Sequence, residues 1–350
     1  MRLPLLILAL ALCAAALPAD EAPVSPLKPD ETVWLFPTVG ALAPEGEVWR
    51  IPVHVWVCEE ELDSPVRAAT LTGIQVSLRL DEGTAASQIF RQRARWFIVD
   101  NERGKELVVR LGGHLHTLPP TDAAGHSQTV LPLPVQDGQR LWRAGETVPL
   151  EIVFPEGANR VVRTDVLLAP VKGLSVISDI DDTLKITEVT DHGALLKRTF
   201  TMPFEAVPGM VERLTAWQAQ GAIFHYVSAS PWQLYPELSA FFAASSFPAG
   251  TWHLKQVRLK DRTLASLWDD PEETKREAIL PLLAAYRGRQ FILLGDAGEH
   301  DPEIYGSIAR AHPAQISHIY IRLLPGREEP PLRWAQAFAG LPADRWTLLP

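Results

Sequence analysis

Cysteine is almost absent from this chain. Of 350 residues only Cys13 and Cys58 carry a thiol, and Cys13 falls in a segment that reads as cleavable. Cys58 then stands alone, which excludes an intramolecular disulfide even in an oxidising compartment. Long apolar runs are missing too: nothing approaches the about 18 consecutive apolar residues of a membrane-spanning helix. Positive charge is in deficit, since 33 Lys and Arg against 42 Asp and Glu give −9 at pH 7, and this argues against a nucleic-acid partner. No tandem repeat or low-complexity segment occurs. The ten histidines form no metal motif; His114 and His116 are an i, i+2 pair that reads as a solvated strand edge or loop.

What is present begins with a leader. Residues 1–19 hold one charge, Arg2, then the apolar run 3–12, then Ala14, Ala15 and Ala16, the pattern of a signal peptide. Its loss takes the net charge from −9 to −10 and implies export to the periplasm or the outside. Cys13 ends the apolar run as a lipidation site would, but the bulky Leu12 before it fits such a site poorly. The roughly 330 residues that remain are enough for two domains stabilised by burial.

From residue 30 to about 168 the pattern is strand-like. Trp49, Ile51, Val53, Val55 and Val57 alternate with Arg50, Pro52, His54 and Trp56, and Ile74, Val76, Leu78 and Leu80 alternate with Gln75, Ser77 and Arg79. Further short runs at 96–99, 107–111, 129–133, 148–154 and 161–168 predict an all-β, sandwich-like accessory domain, with Pro52 favouring an edge strand. Residues 169–173 (APVKG) read as the junction. From 173 to 325 apolar strands alternate with amphipathic helices such as 208–220, so this part is α/β, with a Rossmann-like parallel sheet flanked by helices. Pro281 should kink the helix that starts near Glu272. Residues 326–350 form a proline-rich tail with one short helical stretch and no catalytic signal.

The chemistry is concentrated in Ser178-Asp179-Ile180-Asp181-Asp182-Thr183, at the carboxyl end of the apolar run 174–177. Open α/β sheets bind ligands there. The two-residue spacing suits Asp179 as a nucleophile toward phosphorus, with Asp181 protonating the leaving oxygen and later activating water; Asp182 falls outside the pair. Carboxylates facing a phosphate dianion require a hard divalent cation, Mg2+. Taken alone, such an acidic pair reads equally as an Asx-turn or helix cap. Three later segments add weight. Ser228 ends a second apolar strand, 223–228, where it could donate to a phosphate oxygen, although Ser-x-Ser-Pro by itself more often makes a turn. Lys275 opens a helix and could neutralise a phosphoaspartate; a lone helix lysine is otherwise a solvated one. Gly295-Asp296 ends a third strand, Asp296 as an oxygen ligand and Gly295 allowing close backbone approach. Asp301, before Pro302, reads both as metal support and as an N-cap, and the two are compatible.

Asp179-x-Asp181-x-Thr183, Ser228, Lys275 and Gly295-Asp296-x-x-x-x-Asp301 stand in the order of the four motifs of the haloacid-dehalogenase superfamily, which this chain resembles. The acid at 181 resembles the phosphatase branch. A closer resemblance covers residues 178–189 (SDIDDTLKITEV), Thr199-Phe200, Pro203-Phe204, 207–210, 230–235 (SPWQLY) and 295–305 (GDAGEHDPEIY), with a weaker echo at 35–38. These look like the actin-patch-protein type of phosphatidate phosphatase. The resemblance implies a Mg2+-dependent phosphatase acting on phosphatidate, with Asp179, Asp181, Ser228 and Lys275 catalytic and Asp179, Asp181, Asp296 and Asp301 around the metal. Asp181 is expected to bind it through its carbonyl and to keep its side chain free. Thr183, Ser230, Trp232, Lys197 and Arg198 are the substrate-binding candidates. Residues 193–200 read either as a flap meeting a lipid headgroup and acyl chains or as a core-packed segment with solvated cations. Trp232 and Tyr235 divide between lipid-facing rim and core. A phospholipid substrate with transient membrane-surface contact is the leading expectation. A phosphatase for soluble phosphomonoesters is the nearest alternative, and a non-catalytic lipid- or glycan-binding protein is a third.

Overall fold

A computed structural model of the chain describes residues 24–60, 64–143, 147–257 and 271–350. The expected leader, with Cys13, lies outside these. The N-terminal region is a mixed, mostly antiparallel sheet with three helices around it. Its strands are β1 (Glu31–Leu35), β2 (Val39–Leu42), β3 (Val48–Glu59), β4 (Asp100–Asn101), β5 (Val108–Leu111), β6 (His114–Thr117), β7 (His126–Pro134), β8 (Val148–Ile152) and β9 (Arg163–Leu168), and its helices α1 (Pro65–Ser77), α2 (Ala85–Ala94) and α3 (Val135–Arg143). Strand order is β1-β3-β2-β9-β8-β5-β6, with β4 and β7 also on β3 and β2·β9 the parallel pair. The inward residues of β3, Ile51, Val53, Val55 and Val57, meet Val109, Leu111, Leu133, Leu150 and Val166 in one cluster.

Three expectations for this region are corrected. Residues 74–80 are not a strand: Pro65 opens α1 in the first turn, where a missing N–H costs nothing. Leu71 and Ile74, one helical turn apart, pack inward while Val76 and Leu78 stay exposed. Alternation of apolar residues was thus coincidental with a helical face. Residues 95–97 form a 3-10 turn rather than a strand. Pro52 is not on an edge, because β3 pairs with β7 along one side and with β2 and β1 at the two ends of the other. It falls in the gap between those two partners, where no donor is needed.

The second half holds β10 (Leu174–Ser178), α4 (His192–Phe200), α5 (Met210–Ala219), β11 (Ile223–Pro231), α6 (Tyr235–Ala244), β12 (Gly250–Lys255), α7 (Pro271–Ala285), β13 (Gln290–Asp296), α8 (Asp301–Ala311), β14 (Ile316–Arg322), α9 (Pro331–Ala337) and β15 (Trp346–Leu349). Among the described residues its six strands are all parallel in the order β12-β11-β10-β13-β14-β15. Counted within this half, that is the doubly wound 3-2-1-4-5-6 order, and the chain reverses direction between β10 and β13, where ligands bind outside the carboxyl ends. The residues beyond 326 supply α9 and the sixth strand.

The two regions share a core. Phe36, Trp56, Phe90 and Trp96 from the first pack with Val176, Phe224, Trp232 and Tyr235 from the second. Arg93 of α2 reaches across to donate to the carbonyls of Thr199 (2.6 Å) and Met202 (2.8 Å) at the end of α4. Among the described residues no helix is long and apolar enough to cross a membrane.

Candidate active site

β10 is buried over its last four residues and hands the chain to Asp179, whose amide still donates to Leu294 O of β13 at 2.8 Å. Ile180 and Leu184 are fully buried and anchor the turn that follows. Asp182 sits at φ 54°, a left-handed conformation that Asp tolerates. Its carboxylate accepts from the amides of Thr187, Glu188 and Val189 at 2.7–2.9 Å. Asp182 therefore shapes the loop that presents its two neighbours.

Those neighbours belong to different environments. Asp179, Asp296 and Asp301 are buried together, with carboxylate oxygens within 4.8 Å of one another. Lys275, 1% exposed, points from α7 into this group: Nζ is 3.1 Å from Asp179 Oδ1, 3.0 Å from Glu299 Oε2, and in contact with Asp301 Oδ1. Burial pushes the Asp179 carboxyl up; Lys275 opposes this, Asp301, Asp296 and Glu299 reinforce it, and the result lies well above the ordinary carboxylate range. Asp296 is raised by burial and by Asp301 in the same way. Burial disfavours the Lys275 ammonium, but Asp179, Asp301 and Glu299 outweigh it and raise its pKa. Asp179 Oδ2 and Asp296 Oδ2 are buried without a hydrogen-bond partner. Such orphans in a cluster of like charges are what a cation would satisfy, and an all-oxygen donor set suits a hard one. The three aspartates could hold a metal ion.

Asp181, two residues on, faces the other way. Lys185 Nζ lies 2.8 Å from Oδ1, Thr187 Oγ1 donates to Oδ1 at 2.9 Å, and Ser228 and Ser230 donate to Oδ2 at 2.9 and 2.7 Å. Burial raises this carboxyl, but the Lys185 charge and the hydrogen bonds of Lys185, Ser230 and Thr187 prevail and hold it at about 2. One buried acid is pushed up and its neighbour down.

Residues 174–323 match the family model described as the catalytic domain of the phosphatidate phosphatase APP1. This segment of the chain is similar to that family. A protein of Schizosaccharomyces pombe described only as uncharacterized is 30% identical over 182 residues, 51% of this chain and 29% of its own length. The phosphatidate phosphatase APP1 of Saccharomyces cerevisiae is 33% identical over 156 residues, 43% of this chain and 26% of its own length. The chain thus spans less than a third of these two relatives.

Within residues 174–323, Asp179, Lys275, Asp296 and Asp301 come together as one group, and Asp181, Ser228 and Ser230 as a second. The Asp181 side chain is engaged by four partners, not free, and its carboxylate is not in the metal-capable group. Asp301 is not the N-cap of α8: His300 occupies that position, and the Asp301 carboxylate turns inward to accept the Asp296 amide at 3.2 Å. Gly295 makes room for it, since a Cβ there would stand 2.1 Å from Asp301 Oδ2. Thr183 is fully buried, its hydroxyl without a partner.

Three substrate-binding candidates stand apart from both groups. Trp232 is a core residue, packed on Phe36 (4.3 Å between centroids) and His54 (4.5 Å). Tyr235 is buried beside it. In α4, Leu195 and Phe200 are buried, which is the core-packed form of the segment. Arg198 is ion-paired with Glu188 at 2.6 Å and Glu205 at 3.4 Å, and Lys197 is exposed. Sequence reasoning missed Lys185, Thr187 and Glu299. All three lie inside the two longest motif segments, 178–189 and 295–305, so their signal was position within a recognised run.

Proposed function

We propose that this protein is a Mg2+-dependent phosphatase that converts phosphatidate to diacylglycerol and phosphate through an aspartyl phosphate on Asp179. The observation that carries the reading is Asp179 itself: buried at the point where the strand order reverses, one oxygen on Lys275, the other unpartnered, beside Asp296 and Asp301. These carboxylates would hold the ion, which when bound supplies positive charge to the transferring phosphoryl group.

Asp179 Oδ2 attacks phosphorus and the bond from phosphorus to the diacylglycerol oxygen breaks. Asp181 gives that oxygen its proton. In the contacts described Asp181 is an anion, so the acid role depends on proton uptake. When Ser228 and Ser230 turn from Asp181 to the phosphate oxygens, two donors leave the carboxylate and its proton affinity rises. Lys275 offsets the charge of the phosphoaspartate. Water, losing a proton to Asp181, then attacks phosphorus, releasing phosphate and restoring Asp179. The phospholipid substrate rests on the similarity to that family and on the activity for which the Saccharomyces cerevisiae relative is named. Residues 1–19 support export, periplasmic or secreted; transient contact at a membrane surface follows from a lipid substrate.

Phosphate release from phosphatidate, beside a panel of soluble phosphomonoesters and with and without chelator, tests the proposal. Chelator-sensitive release from phosphatidate is expected. Turnover of the soluble panel alone would replace the lipid by a soluble substrate, and chelator-resistant turnover would remove the metal.

A further inference from the structure

The loop between β13 and α8, residues 297–300, joins Asp296 to Asp301 and carries Glu299, a partner of Lys275. Three of the groups in the charged cluster thus depend on its conformation. One side chain grips it from outside. Arg333 of α9 donates from Nη1 to Ala297 O at 2.6 Å and from Nη2 to Glu299 O. The same guanidinium meets Glu303, in the first turn of α8, through Nε at 2.8 Å and Nη2 at 3.1 Å, and meets Glu329 through Nη1 at 2.9 Å. Its side chain is 17% exposed, and Glu329 is 7% exposed and also held by Arg327 at 2.6 Å. A planar fork of five donors can bridge two carbonyls and two carboxylates at once; an ammonium has only three donors.

We propose that Arg333 is a positioning residue of the metal site, fixing the β13–α8 loop so that Asp296, Glu299 and Asp301 keep their relative places. The inference rests on the reading that this cluster binds a cation. Arg333 lies beyond residues 174–323, outside the family match. It touches none of the three aspartates in the metal-capable group. It acts through the loop.

The test is Mn2+ binding to the full chain by titration calorimetry, without substrate, for wild type, Arg333→Gln and Arg333→Lys. Outer groups that orient metal ligands typically change affinity by about 10- to 100-fold when lost, so Arg333→Gln should raise the Mn2+ dissociation constant at least about tenfold. Arg333→Lys keeps a cation beside Glu303 and Glu329 but loses the double carbonyl bridge, and should show a smaller rise. In turnover the Mg2+ activation constant should rise with substrate KM unchanged at saturating metal. Leu332→Gln, an exposed neighbour on α9, should bind Mn2+ as wild type does. A folded Arg333→Gln protein with wild-type affinity overturns the inference while leaving the metal reading intact. Where Arg333→Gln does not fold, wild-type affinity in Arg333→Lys overturns it equally. A wild-type protein that binds no Mn2+ overturns both.

Discussion

Replacing Lys275 by Met removes the cation that contacts Asp179, Glu299 and Asp301 and keeps most of the side chain's length and apolar stem. Lys275 stands about 3 Å from Asp179 and Glu299 and touches Asp301. At an effective dielectric of about 20, each such pair carries about 5 kcal/mol of attraction. The net loss is smaller, because desolvation is already charged against the pair; removing one partner of a buried ion pair costs about 3–5 kcal/mol. The cost depends on pH with a definite sign. Asp179 and Asp296 have folded-state pKa values raised above the unfolded ones, so the folded state binds their protons more tightly. Their favourable contribution is complete below about pH 4 and is lost as pH rises through the folded values. Lys275 holds those values down, and without it they rise further, so the loss with rising pH is larger. Thermal melts in chelator should therefore show a larger wild-type-minus-Lys275→Met difference at pH 8 than at pH 5, and divalent cation should narrow it. With metal saturating, turnover should fall by about 10²–10³, the usual consequence of removing one preorganised electrostatic contact. Equal melting differences at the two pH values, or turnover within about tenfold of wild type, would refute this account of Lys275.

Asp179→Asn should abolish phosphate release without unfolding the protein, because Lys275 keeps Glu299 and Asp301 as partners; turnover by the folded variant would reject the covalent route. Asp181→Asn should be impaired even toward substrates with good leaving groups, since hydrolysis of the phosphoenzyme still lacks its base. Full rescue by such substrates would restrict Asp181 to the acid role. The stabilising contribution of Asp181, whose pKa is lowered to about 2, is present above about pH 4 and fades as pH falls toward 2. Lys197→Ala should weaken activity on phosphatidate vesicles more than on a soluble phosphomonoester, and salt should mimic it, as the screening of an exposed cation near an anionic surface requires. An unchanged vesicle activity would remove Lys197 from any lipid contact.

The α/β half and the clustering of its acidic side chains were legible because their signals are local. A buried strand announces itself by four or five apolar residues, and the group after it emerges at the carboxyl end by geometry alone; Asp179, Ser228 and Asp296 follow from that. A run such as 178–189 or 295–305 also carries its neighbours, so Lys185, Thr187 and Glu299 were within reach of the same reasoning. Tertiary structure decided the rest. Ile74, Val76, Leu78 and Leu80 satisfy a strand pattern, and only the core beneath Leu71 and Ile74 selects the helix. Asp181 looked like a free acid because chain order alone does not aim Lys185 and Thr187 at it, and its other two partners come from β11, 47 and 49 residues away. Trp232 was ambiguous until Phe36 and His54 from the other region enclosed it. Arg333 sits in a tail with no periodic or motif signal, yet it reaches back 36 residues to Ala297. Periodicity and turn chemistry act over a few residues and are written in the chain order. Ion pairs, shared cores and loop clamps act between segments that meet only once the strand order brings them to the same end of the sheet.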